Sequence, residues 1–563
     1  MQSTSPAVVA QAAVKRLPRA ALLGICVVYV FAGLFGRGGW KSADMASLGF
    51  MLELAAGRTD WWHPTLLGIT SEHNALLPYW LGAWMLPLAP HSELALWLIR
   101  LPFALLLALA MTGTWYGTYY LAKSPKAQPV AFAFGGQARP SDYARTVADG
   151  GLLALIACLG LAQLGHETTP ALAQLGFMGV YFYGVCALPY RLRLAGPATL
   201  IGQAGLTLSG APMLAVIYGL GCAFATQLHP ASTQDDAAVQ RARLHVSATL
   251  VLACILSALL ATVCNLWQWK VIAPQALWID WNGYFQLLVW FTWPAWPLAL
   301  WALWRWRKQI GSRHIALPLW LLTVTLFATL FTGSSDRTLL LGLPAIASLA
   351  AFALPTLQRQ MASLIDWFTL LFFSGCGLVV WVVWLAMQTG IPSQPAANVA
   401  RLAPGFRPEF SITGLVVALG VTAFWAALVR WRTSRQRAAL WKSLVLPAGG
   451  AVWCWSLLMT LWLPLLDYTQ GYAVLTKNVA MQIDKPGCVE VQGLSADQIA
   501  ALQWGMERQL VSVGALVHCS WLLAQPTPTG DVPPTVDSSL WVAKALVRHP
   551  ADASNAMWLM QRR

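Results

Sequence analysis

Apolar runs long enough to cross a bilayer recur along almost the whole of this chain, and no other feature restricts its fold as severely. A helix needs about 20 apolar residues to span the hydrocarbon. Candidate spans lie near 20–36, 94–122, 150–165, 170–190, 194–208, 211–228, 244–265, 284–304, 315–332, 338–355, 361–387, 411–429 and 443–465. Of the 563 residues 57% are hydrophobic and 10% charged, whereas a soluble domain carries roughly 25% charge. With 31 Trp in addition, a compact cytosolic enzyme is excluded. Disorder is excluded too, because it requires few apolar residues and a high net charge. Lipid is the solvent for most of this chain.

The net charge is +14. Its basic residues occupy short segments between apolar runs, which reads as membrane orientation rather than nucleic-acid binding. With the N-terminus inside, twenty-one of the 36 Lys and Arg fall in cytoplasmic segments and eight in external loops and their rims. Removing one span would reverse every later loop and spoil this asymmetry, so about thirteen transmembrane helices are expected. The run from Ala20 to Gly36 has a poor small-residue cleavage signature and reads as a retained first span, not a signal peptide. The expected fold class is thus an α-helical polytopic membrane protein. Residues 1–465 hold the spans and a first external loop, 37–93; residues 466–563 form a small external α/β domain.

Within the loop, 44–56 has the period of an amphipathic helix lying in the interface. In the tail, CVEVQGL reads as a strand, SADQIAALQWGMERQL as a helix, and WLLAQP and MWLMQRR as further strands. Most Cys stand inside apolar runs and act as small hydrophobes. Cys488 and Cys519 lie in the tail, in an oxidising compartment, and are candidates for a disulfide; two reduced buried thiols are the alternative.

Long external loops beside many spans can carry a water-facing site. The first loop concentrates Lys41, Asp44, Glu53, Arg58, Asp60, His63, Glu72, His73 and Glu93. A solvated loop with helix-surface charges would account for Glu53, Asp60 and Glu93, and Asp44 could be a helix cap. The alternative is that Asp44 and Glu72 converge on a cleft. Elsewhere His166 and Glu167 stand in GHETTP between two spans, and Arg337 precedes the tenth span in SSDRTLLLGLP. Ionisable groups at the membrane border are functional candidates, although a lone Arg there also anchors to headgroups.

WKSADMASLGF, DWWHPTLLGITSEHNALLPYWLGA and LWLIRLPFALL together resemble the first external loop and second span of GT-C class glycosyltransferases. The likeness is greatest to the bacterial aminoarabinose transferase and protein O-mannosyltransferase branch. GHETTPALA and SSDRTLLLGLPAIASLA resemble two later segments of that class, and CVEVQGLSADQIAAL with HCSWLLAQ resembles the periplasmic domain of proteobacterial members. The resemblance implies a multi-pass protein of the bacterial cytoplasmic (inner) membrane, its N-terminus cytoplasmic and its tail periplasmic. It implies transfer of a sugar from a polyprenyl-phosphate donor to a periplasmic acceptor: lipid A, a surface glycan or a protein. Asp44 and Glu72 take the family's acidic positions, and Arg337 its basic position before a late span. This sequence departs from the pattern at Ala43, where an acid is usual, at His73 in place of Lys, at Pro170 in place of Asp, and at SGAP (209–212) where a Lys is common.

The chemistry would use these residues simply. A carboxylate, Asp44 or Glu72, takes the acceptor hydroxyl proton as the new bond forms, and a single displacement inverts the anomeric centre. Arg337 steadies the departing phosphate, since its planar fork matches phosphate oxygens and stays charged; Arg58, Lys41 and His73 are helpers. No cofactor is required. A divalent metal on His63, Glu72 and His73 is conceivable and not favoured. The competing readings are a non-catalytic relative that binds lipid carriers and a transporter of a lipid-linked substrate. The latter usually shows repeated halves, and no internal repeat is found here.

Overall fold

The computed structural model describes residues 5–34, 36–71, 74–89, 91–227, 237–267, 280–332, 335–433, 439–484, 487–506, 508–514 and 519–563. Each candidate span overlaps helix among the described residues, but only in part for 20–36, and 150–165 is divided at Cys158 between Pro140–Ala157 and Leu159–Leu164. Among the described residues eight helices are long and apolar enough to cross a membrane: Leu94–Ala122, Pro170–Ala187, Arg243–Val263, Arg313–Phe331, Asp336–Thr356, Arg359–Thr389, Ile412–Thr433 and Lys442–Leu461. Arg19–Phe31 and Pro212–Thr226 are shorter apolar helices. The candidate span 284–304 is not one straight helix: Trp281–Phe291 and Ala295–Arg305 meet at 90°. Pro294 lies in the break, where a residue without N–H cannot continue the helical hydrogen bonds.

The chain forms two compact units, one of 1–32, 103–377 and 418–456, the other of 33–102, 378–417 and 457–563. In the first, small residues let helices approach as they do in membranes. A Cβ at Gly113, in the helix Ser92–Ala122, would stand 2.1 Å from the carbonyl oxygen of Gly179 in Pro170–Ala187. Leu343–Ala353 is buried at every position, so it is an interior helix rather than a lipid-facing one.

The second unit joins the first loop to the tail. Its sheet has the order β4-β3-β5-β7-β6, from strands β3 (Val489–Gln492), β4 (Leu510–Ser512), β5 (Trp521–Ala524), β6 (Trp541–His549) and β7 (Asp552–Arg562). A separate two-residue pair, β1 (Thr65–Leu66) and β2 (Ile69–Thr70), closes a turn in the loop. β3 is parallel to both β4 and β5, and β7 runs antiparallel to β5 and β6. The helix Ala496–Gly505 connects β3 to β4, and a capping box fixes its start: Ser495 and Gln498 each satisfy a backbone N–H of the other. Cys488 and Cys519, at the entries to β3 and β5, form a disulfide with Cα atoms 5.1 Å apart.

Three sequence expectations change here. The helix Ala43–Ala55 exists but is not amphipathic in the interface, for nine of its thirteen residues are buried. Gly49 explains this: a Cβ there would lie 2.6 Å from that of Ala500, so the helix sinks against Ala496–Gly505. Glu53 is accordingly buried rather than solvated. In the tail, the helix ends at Gly505 and Leu510, which the sequence places at the helix end, begins β4, while β6 completes a hairpin with β7.

Candidate active site

In the second unit the strap before Ala43–Ala55 is built around Asp44. Its carboxylate is buried and accepts from Nη2 of Arg37 at 3.1 Å and from the Trp40 backbone N–H at 3.3 Å. The Arg37 side chain is wholly buried, its guanidinium 4.6 Å from the centre of the Trp40 ring. Arg100 fixes the strap from behind, donating to the carbonyls of Leu34, Arg37 and Gly38 at 3.2, 2.6 and 2.8 Å. Asp467 fixes it from the other side, accepting from the Gly38 N–H at 3.1 Å and from the Trp40 indole at 2.6 Å. Burial pushes the Asp467 carboxyl above its ordinary range, against the pull of those two donors. Asp44 thus sits in a rigid, charge-compensated cradle, as a buried carboxylate requires.

The other loop residues are distributed differently. Lys41 pairs with Asp552 at 2.7 Å. Arg58 clasps Glu53 with Nε and Nη2, at 2.9–3.2 Å, and Gln503 donates to the same carboxylate at 2.6 Å. His63 is exposed and faces Asp60 at 3.3 Å. Glu72 and His73 lie outside the described residues, so the pairing of Glu72 with Asp44 falls there too. Among the described residues no three His, Cys, Asp or Glu side chains gather as metal ligands.

In the first unit Glu167 and Arg337, 170 residues apart, come together. Oε2 of Glu167 receives Nη2 of Arg337 at 3.1 Å, and Oε1 receives the Gln163 amide at 3.3 Å. The Glu167 side chain is 1% exposed and that of Arg337 27%. The short helix Asp336–Leu339 holds the arginine, capped by the Ser335 hydroxyl on the Thr338 N–H at 3.4 Å. Beside Glu167, His166 spans two carbonyl oxygens, of Ala162 at 2.5 Å and Tyr29 at 2.7 Å, with its ring stacked on Trp455. Pro170 begins the helix Pro170–Ala187, a position where its missing N–H costs nothing.

Sequence reading passed over Arg37, Arg100 and Asp467 as site residues. A signal was present for two of them: Arg100 interrupts LWLIRLPFALL and Asp467 closes LWLPLLDYTQ, and charge within or bordering an apolar run marks function by default.

No family model matches the chain, and no curated protein sequence matches it. Solved structures do. The crystal structure of ArnT from Cupriavidus metallidurans bound to undecaprenyl phosphate superposes with a TM-score of 0.60 at 13% identity, covering 96% of this chain and 97% of that one. The chain has an ArnT-like GT-C fold. The same enzyme in the apo state gives 0.59 at 14% identity, over the same shares of both chains. Identity this low speaks for the fold alone.

Proposed function

We propose that this protein is a GT-C glycosyltransferase of the inner membrane, moving a sugar from a polyprenyl-phosphate carrier to an acceptor on the periplasmic side. The observation that carries this is the ArnT-like fold over 96% of the chain, in a relative crystallised with undecaprenyl phosphate. A partly open arginine supports it at the position the sequence assigns to the phosphate.

In the proposed reaction the acceptor hydroxyl oxygen bonds to the anomeric carbon as the bond from that carbon to the phosphate oxygen breaks. The hydroxyl proton goes to a carboxylate, and the bonding pair leaves with the carrier as polyprenyl phosphate. One displacement inverts the anomeric centre. Asp44 is the carboxylate proposed for the proton, Glu72 being the other candidate; its contact with Arg37 favours the charged form that a base needs. Arg337 is the proposed phosphate ligand. Glu167 holds Nη2 and Asp336 stands 3.8 Å from Nη1, so a phosphate would meet the fork in exchange for the looser of these two carboxylates. Lys41 and Arg58 support their surroundings through Asp552 and Glu53. His63, His166 and Glu167 line or orient rather than react.

The test is turnover. Purified protein in nanodiscs, supplied with a panel of glycosyl undecaprenyl phosphates and a bacterial glycolipid extract, should release undecaprenyl phosphate from at least one donor. Absence of release from every donor, with the protein folded and carrier bound, would leave a non-catalytic relative.

A further inference from the structure

A cavity of about 600 Å³ opens in the first unit among residues that the proposed transfer does not use. It lies at the Arg313 end of the helix Arg313–Phe331, while Arg337 follows the other end. At 1.5 Å per residue those ends are about 28 Å apart, close to a bilayer's hydrocarbon thickness. Three cations line it: Lys126, Arg243 and Arg313. They come from three separate segments that the charge distribution assigns to the cytoplasmic side. None of the described lining residues is acidic.

The polar wall is unsatisfied. His314 is fully buried and neither ring nitrogen has a hydrogen-bond partner; Ser124, also buried, has an unpartnered hydroxyl. Arg313 spends Nη2 on the Val185 carbonyl, and its Nε has no partner. Buried polar groups are nearly always hydrogen-bonded, so exceptions require an explanation. Guanidinium and hydroxyl groups offer protons, and the complementary ligand is therefore rich in acceptors and negatively charged. The lining also includes the apolar Pro189, Val246 and Leu317. A volume of this size holds a small ligand or a headgroup with its first methylenes.

We infer that this cavity binds a phosphate monoester, the phosphate on Lys126, Arg243, Arg313 and Ser124 and an apolar chain along Val246 and Leu317. This site is distinct from the proposed transfer site and does not depend on that reading. Its natural source is either an anionic lipid headgroup or a soluble phosphate ester, which share the recognising chemistry.

The full chain in phosphatidylcholine nanodiscs, titrated with phosphatidic acid and read by native mass spectrometry, tests the inference. Wild type should retain phosphatidic acid at least fivefold more strongly than the K126A/R243A double variant. Ala316→Trp, which fills the cavity without touching a charge, should lose retention equally. Arg359→Ala, an exposed basic control elsewhere, should behave as wild type. Displacement by millimolar glycerol 3-phosphate would support the site with a soluble source; resistance to it would support the site with a lipid source. Equal retention in wild type, K126A/R243A and Ala316→Trp would overturn the inference, as would no preference for phosphatidic acid over phosphatidylcholine.

Discussion

Nη2 of Arg337 lies 3.1 Å from Oε2 of Glu167, with the glutamate side chain buried and about a quarter of the arginine side chain exposed. A pair so divided anchors the arginine while leaving it able to meet a second anion. Removing Arg337 strands a buried charge, which costs up to several kcal/mol and somewhat less here because the arginine is partly exposed.

Arg337→Ala should therefore lower thermal stability as well as carrier affinity. Glu167→Gln in the same chain should restore much of the stability, since it removes the stranded charge, without restoring carrier affinity. A double-mutant cycle in melting temperature and undecaprenyl phosphate binding separates the two. Recovery of both together would assign Arg337 a structural role only.

Asp44→Asn should reduce turnover at least a hundredfold. The sequence alone suggests that folding would be untouched. The structure corrects this, because Arg37 is wholly buried against Asp44 and its loss of compensation should cost about 3 kcal/mol. Arg37→Gln combined with Asp44→Asn should recover melting temperature and remain inactive. Activity in the double variant would move the base elsewhere.

The tail should loosen in two steps as pH falls. Burial, then the charge of Lys41, lowers the His549 pKa below its ordinary value of 6.5. Its contribution is present above 6.5 and is lost as pH drops through that range, where the unfolded chain takes up the proton. Burial alone would raise the Asp552 carboxyl, but hydrogen bonds from Lys41, Ser554 and Asn555 outweigh it and hold the group below the ordinary carboxylate range. This second contribution stays until pH falls below about 4. Hydrogen exchange in β6 and β7 from pH 7 to 3 should show both steps, the upper one absent in His549→Gln and the lower one reduced in Lys41→Met. An unchanged profile in both variants would rule out this linkage.

Gly49→Ala should separate the helix Ala43–Ala55 from Ala496–Gly505, because the added Cβ meets that of Ala500 at 2.6 Å and Leu66 at 2.9 Å. Overpacking of this kind typically costs 1–3 kcal/mol. A melting temperature equal to wild type would show that the contact relaxes freely.

The spans were legible because an apolar run of about 20 residues leaves a chain little choice. The right-angle break at Pro294 was not, since hydropathy is blind to direction. Glu167 and Arg337 each stood out as ionisable groups at a membrane border, yet their pairing joins positions 170 residues apart and is a property of the packed helices. Arg37 was hidden for a related reason. Its partner Asp44 is close in sequence, but the burial that makes the pair matter is created by Arg100 and Asp467. The helix Ala43–Ala55 misled because Gly49 and small neighbours let it be buried on all sides, while its polar residues suggested a wet face. β6 escaped notice because Lys544 and Arg548 interrupt its apolar alternation at the sheet edge.

The central claim is that a polyprenyl phosphate is held by Arg337. Equilibrium binding of undecaprenyl phosphate to the purified protein, wild type against Arg337→Ala, tests it most directly. The account predicts saturable binding by wild type and at least tenfold weaker binding by the variant. Equal affinity in the two proteins, or no binding by wild type, would contradict it.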